Sequence, residues 1–259
     1  MPEALHGLTV VITRPAHQAS HFRQQLEQAG ADVVLFPVID IRPPENLTAA
    51  QAVLDKLESY DTAIFISANA VTCGLALLDA PRQQLLHQLT LGAVGKKTAG
   101  ILHQYGHTAR LTPATGFTSE DFLALPEMQQ LAGRHILIFR GEGGRELLAD
   151  TLRRRGACVD YLEVYRRICP ENTTSQLKSR HEGQQLDIIA ITSSEGLLNL
   201  LALLDNPDWI KAVPLLVGSQ RMAETARQAG FTGTLVIADN PGDEAMLNAL
   251  IQWAQEHQQ

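Results

Sequence analysis

The strongest constraint on this chain is that it repeats itself. Leu8-Thr9-Val10-Val11-Ile12-Thr13-Arg14 and Arg134-His135-Ile136-Leu137-Ile138-Phe139-Arg140 are both short apolar runs closing on arginine, the second 126 residues after the first. The same shift carries Gly30-Ala31 onto Gly156-Ala157, Asp61 onto Asp187 and Ser67 onto Ser193. Further along, the offset falls to 123 for Val94-Gly95 over Val217-Gly218 and to 124 for Gly106 over Gly230. Slips of this size are what loops tolerate. The chain must therefore build one supersecondary pattern twice.

Each copy opens with a strand (9–13; 135–139) and then a helix whose apolar positions recur at helical spacing, Phe22, Leu26 and Ala29 in one and Leu147, Leu148 and Leu152 in the other. Gly30 and Gly156 stand where a helix C-terminus takes a left-handed residue. A strong strand follows (62–66; 187–192), then a helix beginning at Ser67 or Ser193. Next come a strand (91–94; 214–217), a helix (97–105; 219–229), a short strand (109–112; 234–237) and a last helix (119–125; 243–256). Alternating β and α elements predict an α/β fold, two similar parallel-sheet domains with flanking helices. A length of 259 residues suits two domains of about 100–150 residues each. Two extended segments that end in proline, residues 36–44 and 162–170, occupy equivalent places in the copies. They are expected to pair as a two-stranded connector, or else to be an ordinary edge strand in each sheet.

Composition removes several functions. The net charge of −7 lacks the basic excess of a general nucleic-acid coat. Cys73, Cys158 and Cys169 are odd in number, with no CxxC, which argues against a disulfide framework or zinc ribbon and suits a reducing cytosol. The first residues show no secretory signal, and the longest apolar stretch, 197–204, is far short of a membrane span. A soluble cytoplasmic protein is expected.

In parallel sheets, ligands bind beyond the carboxyl ends of the strands, so the residues there are the candidates. Thr13-Arg14 and Arg140 follow the first strand of each copy, and such an arginine either holds a carboxylate or phosphate bidentately or pairs with a helix side chain. Ser67, Asn69, Ser193 and Ser194 sit at helix starts, where capping and anion binding are both available. Gly95-Lys96-Lys97-Thr98 and Gly218-Ser219-Gln220-Arg221 each put a glycine, a hydroxyl and a cation at a strand-to-helix turn. Gly141-Glu142-Gly143-Gly144 is only part of a dinucleotide fingerprint, with Glu146 at its sixth position. The pairs His17/His21 and His103/His107 lack the glutamate of a metalloprotease helix, and no metal is expected. Tyr165 is a packing residue unless it faces a cleft, where its hydroxyl could donate a proton.

Taken in order, Val11-Ile12-Thr13-Arg14-Pro15, Phe36-Pro37, Ile64-Phe65-Ile66-Ser67-Ala68-Asn69, Val94-Gly95-Lys96-Lys97-Thr98, Arg140-Gly141, Val164-Tyr165-Arg166 and Ile191-Thr192-Ser193-Ser194 make the chain resemble the uroporphyrinogen-III synthase family. The resemblance covers essentially the whole sequence. It implies one discontinuous domain of residues 1–36 with 170–259, an inserted domain of residues 42–163, and connectors at 36–43 and 162–170. It implies cyclisation of hydroxymethylbilane, with loss of water and inversion of ring D, no cofactor, and Tyr165 as an assisting general acid. It also implies substrate contacts from Ser67, Thr98 and Ser193. In the second copy Arg221 stands where relatives carry a threonine, with Ser219 the nearby hydroxyl. Arg14→Ala or Arg140→Ala is then expected to raise KM more than it lowers turnover. A monomer is expected, and the resemblance leaves room for transient contact with hydroxymethylbilane synthase. The alternatives are a non-catalytic two-domain module binding an anion or tetrapyrrole, and a nucleotide-dependent oxidoreductase that the broken glycine pattern disfavours.

Overall fold

The structure, a computed structural model, describes residues 3–171 and 174–257. The chain runs β1 (Thr9–Ile12), α1 (Ala16–Gln28), β2 (Asp32–Leu35), β3 (Asp40–Arg42), α2 (Leu47–Leu54), β4 (Thr62–Phe65), α3 (Ala68–Ala76), α4 (Ala80–Leu86), β5 (Thr90–Ala93), α5 (Lys96–Gln104), α6 (Ser119–Leu123) and β6 (His135–Gly141). It continues with α7 (Leu147–Arg154), β7 (Cys158–Ile168), α8 (Ser175–Glu182), β8 (Ile188–Ile191), α9 (Ser194–Ala202), β9 (Leu215–Val217), α10 (Gln220–Gln228), β10 (Leu235–Ile237) and α11 (Asp243–His257).

Two compact units result. The first takes Met1–Asp40 and Ile168–Gln259, the second Ile41–Arg167. The first holds a sheet of order β10-β9-β8-β1-β2, and the other sheet has the order β3-β7-β6-β4-β5. The registers of β1 with β2 and β8, of β4 with β5 and β6, and of β6 with β7 are all parallel. The repeat equates β1 with β6, β2 with β7, β8 with β4 and β9 with β5. Each sheet therefore joins the opening strands of one copy to the later strands of the other. From β1 the chain steps outward to β2, and from β8 it steps the opposite way to β9 and β10. The order reverses between β1 and β8, and likewise between β6 and β4, which is where ligands bind in open parallel sheets.

The central strands are buried on both faces, as parallel strands covered by helices must be. In β6, Leu137 and Phe139 enter one core, with Phe65 and Leu102, while Ile136 and Ile138 enter another, with Phe122 and Leu152. The alternation is the period of two of a strand. Phe65 and Phe139 stack with ring centroids 4.2 Å apart. In the first unit Phe22, Leu26 and Ala29 of the α1 stripe pack with Met246 and Leu250 of α11.

Two expectations differ. Residues 109–112 form no strand, and only an isolated bridge joins Leu111 to Gly92. Pro113, which lacks an N–H, follows closely and stops further pairing. Leu147 is 36% exposed, since it lies off the stripe on which Leu148 and Leu152 are buried. β3 lies beside β7 at the edge of the second sheet, so the two proline-terminated segments are neighbours. Among the described residues no helix is long and apolar enough to cross a membrane.

Candidate functional site

Helices begin within a few residues of the strand ends, and their starts carry the predicted hydroxyls. Ser67 precedes α3 and accepts from the Ala70 N–H at 3.1 Å. Ser193 does the same for α9, from Gly196 at 3.0 Å, and Ser219 for α10, from Met222 at 3.3 Å. Gly95 starts α5 with no side-chain cap, so the first N–H groups of that helix keep their donor capacity. Thr98 lies buried in the same first turn, with Lys96 exposed ahead of it and over the Phe117 ring at 5.5 Å. Asn69 is half-buried in the first turn of α3, and Ser194 donates to Met222 Sδ at 3.4 Å. Arg221 is exposed on α10 and makes no ion pair among the described residues.

Tyr165 owes its position to a β-bulge. β6 and β7 pair residue for residue until Arg140 faces Glu163, and then Gly141 faces Tyr165. One residue of β7 is extra, and Val164 and Tyr165 are consecutively buried where a regular strand would alternate. The turned ring fits only because residue 141 is glycine. A Cβ there would stand 2.6 Å from Tyr165 Cζ. The side chain is 1% exposed. Its hydroxyl lies 3.3 Å from Ser67 Oγ and accepts from Arg167 Nη2 at 3.3 Å, with the Arg167 guanidinium 5.7 Å from the ring centroid. Shifted back by 126, Tyr165 becomes Ile39. In the first unit Ile39 packs near Gly196 beside Ser193, so the first unit has the serine without the phenol.

The other three predicted residues have protein partners. Arg140, 3% exposed, pairs with Glu146 at 3.0 Å, donates to the Gly141 carbonyl at 3.2 Å and lies 4.3 Å over the Tyr161 ring. The Tyr161 and Arg140 hydrogen bonds hold the Glu146 carboxyl below its ordinary value. Burial, with the Glu146 hydrogen bond, pushes the Tyr161 hydroxyl up to about 12. Arg14 pairs with Asp243, donates to the Pro241 carbonyl at 2.7 Å and covers Phe22. Burial pushes the Asp243 carboxyl up, but hydrogen bonds from Arg14 and His21 outweigh it and hold the carboxyl below its ordinary value. Thr13 Oγ1 donates to the Ala190 carbonyl at 2.8 Å, tying β1 to β8. Both repeat-related arginines thus anchor an acid at a helix start to the neighbouring strand. The roles of Gly141, Arg167, Glu146 and Asp243 are not legible in the sequence. Gly141 and Glu146 show there only as parts of a broken dinucleotide fingerprint. Among the described residues no group of three or more His, Cys, Asp or Glu side chains is placed to hold a metal.

This geometry defines a class, a duplicated α/β protein that gathers serine hydroxyls and helix N–H donors at the carboxyl edge of each parallel sheet. The sequence pattern of uroporphyrinogen-III synthase HemD matches residues 20–248. The Escherichia coli uroporphyrinogen-III synthase is 31% identical over 246 residues, covering 94% of this chain and all of that protein. The Proteus mirabilis one is 34% identical over 196 residues, covering 75% of this chain and 98% of its own. The chain belongs to the uroporphyrinogen-III synthase family. Solved structures share the fold. A mutant uroporphyrinogen III synthase from Thermus thermophilus superposes with TM-score 0.65 at 19% identity, over 96% of this chain and all of that one. The Helicobacter pylori synthetase does so with TM-score 0.63 at 16% identity, over 95% and 99%.

Proposed function

We propose that the protein is the lyase that closes hydroxymethylbilane into uroporphyrinogen III, with Tyr165 supplying the proton that turns the departing hydroxyl into water. A pyrrole nitrogen lone pair expels that hydroxyl. Ring D is then attacked at its substituted carbon, a spiro intermediate reorganises, and a ring-carbon proton is returned at the end. Little acid–base machinery is required, and most of the catalysis is positioning. Ser67 faces the substrate; the carboxylate contacts are Asn69, Lys96 and Thr98 in the second unit and Ser193, Ser194, Ser219 and Arg221 in the first, with the helix N-termini behind them. Thr13, Arg14 and Arg140 are scaffold in this reading, because protein acceptors already occupy them.

The observation that carries the assignment of Tyr165 is its hydroxyl, set against Ser67 at the point where the strand order of the second sheet reverses. The protein works as a monomer in the cytoplasm, where three free cysteines are at home. It takes a reactive substrate from hydroxymethylbilane synthase by transient contact. An isomer-resolved cyclisation assay tests the activity. Spontaneous closure gives isomer I, and the enzyme is expected to make isomer III dominant. Isomer I alone, with folded protein present, leaves the anion-binding module. Tyr165→Phe is expected to lower turnover by about ten- to a thousandfold, and parental turnover would return Tyr165 to packing.

A further inference from the structure

The proton donor assigned above is almost wholly covered, and an acid must touch the group it protonates. Tyr165 is 1% exposed, whereas Ser67, its hydroxyl neighbour at 3.3 Å, is half-buried at the start of α3. We propose that Ser67 is the residue that hands the proton to the leaving hydroxyl, with Tyr165 recharging it from behind and Arg167 holding the charge left on the phenol oxygen. The inference rests on the cyclase reading and deepens it.

Donor and acceptor inventory permits a relay that runs in one direction. Arginine only donates, so the Tyr165 oxygen accepts from Arg167. The Tyr165 proton is then free to point at Ser67 Oγ. Ser67 Oγ already accepts from the Ala70 N–H at 3.1 Å, and Tyr165 takes its second lone pair. The Ser67 hydroxyl has one role left, to donate outward. The three donations run one way, Arg167 to Tyr165, Tyr165 to Ser67, and Ser67 to the substrate. Both 3.3 Å contacts are long, as catalytic hydrogen bonds often are before substrate is seated.

In the step itself the carbon–oxygen bond breaks and its electron pair leaves on oxygen. The Ser67 proton joins that oxygen to make water, and the Tyr165 proton replaces it on Ser67. The pyrrole nitrogen lone pair fills the vacated carbon. The negative charge rests on the Tyr165 oxygen beside the Arg167 guanidinium. When the macrocycle later loses its ring-carbon proton, that proton restores the phenol, so no outside acid or base is consumed. The first unit cannot do this, because Ile39 stands where the repeat would put a phenol. Of the two repeat-related serines, Ser67 has a phenol to recharge it, and Ser193 has Ile39 nearby instead.

The test compares Ser67→Gly, Tyr165→Phe and the double variant in the full-length protein, under single turnover with hydroxymethylbilane generated in situ. Glycine keeps most of the capping stability while removing the hydroxyl. Each single variant is expected to slow isomer III formation about tenfold or more, and the double variant no further than the slower single. A proton inventory in H2O–D2O mixtures should curve for the parent, with two protons in flight, and straighten for both singles. Ser67→Thr, which keeps cap and hydroxyl, should retain the curvature, and it decides the matter should Ser67→Gly fail to fold. Arg167→Met should lower the rate with KM unchanged. A parental rate in Ser67→Gly, multiplicative losses in the double variant, or a straight parental inventory would overturn the relay while leaving the cyclase intact. Isomer I alone from the parent would remove both.

Discussion

At the scale of single residues, the placement of the Tyr165 ring depends on one missing Cβ. Gly141 makes room for the Tyr165 ring, and alanine would place a carbon 2.6 Å from Cζ. Neither partner can yield easily, since the ring is buried and residue 141 is paired in β6. Gly141→Ala is expected to cost about 1–3 kcal/mol by overpacking, measured by denaturant midpoint, and to lower turnover toward that of Tyr165→Phe. The sequence shows a glycine after a strand there and suggests a broken dinucleotide loop. It cannot show a tyrosine 24 positions later in sequence using that space. The arginines teach the converse. Arg14 and Arg140 were legible as guanidiniums at strand ends, but their carboxylate partners, Asp243 and Glu146, were not. With those partners known, the expectation for Arg140→Ala moves from raised KM to a lowered melting temperature with KM near the parental value. Thermal scans and kinetics on the same preparation check this.

At the scale of elements, the helix starts organise the strand ends, and α11 shows how one is anchored. Its first residue, Asp243, suits the positive end of the helix and is clasped by Arg14, just beyond β1, and by His21 of α1. The folded carboxyl binds its proton less readily than the unfolded one, whose ordinary value is 3.8. Its contribution to stability is therefore complete above that value and is lost as pH falls through the lower folded value. Asp243→Asn is expected to be less stable than the parent at neutral pH, with the gap closing on acidification below 3.8. Urea midpoints at the two pH values check this, and a gap that widens in acid would contradict it. The serine caps were readable in the sequence, because a cap involves residues only three apart. The bulge in β7 was not. It arises from the pairing of β6 with β7 and shows along the chain only as two buried residues in succession.

At the scale of the whole molecule, the two copies of the repeat do not coincide with the two units. Each sheet combines β1-β2 or β6-β7 of one copy with the later strands of the other copy. The first unit needs both ends of the chain, whereas the second is a single stretch, Ile41–Arg167, with its own sheet and cores on both faces. We propose that these units are folding domains. A fragment of residues 40–168, which keeps β3 and β7 whole, is expected to melt cooperatively by circular dichroism, and a featureless melt would argue against it. The sequence by itself determined the repeat, most of the order of strands and helices (not the missing strand at 109–112, nor α4), the glycines with positive φ at helix ends such as Gly30 and Gly156, and the hydroxyls that start α3, α9 and α10. Those properties depend on φ preferences, capping and apolar period, which act over a few residues. The tertiary structure decided which halves share a sheet, which cations are already paired, and that one serine has a phenol behind it while its repeat-related twin has an isoleucine nearby. Most of those outcomes depend on burial and pairing between residues about a hundred or more apart, such as Ser67 with Tyr165 and Arg14 with Asp243, where many arrangements satisfy the same local pattern and only the packed core selects among them.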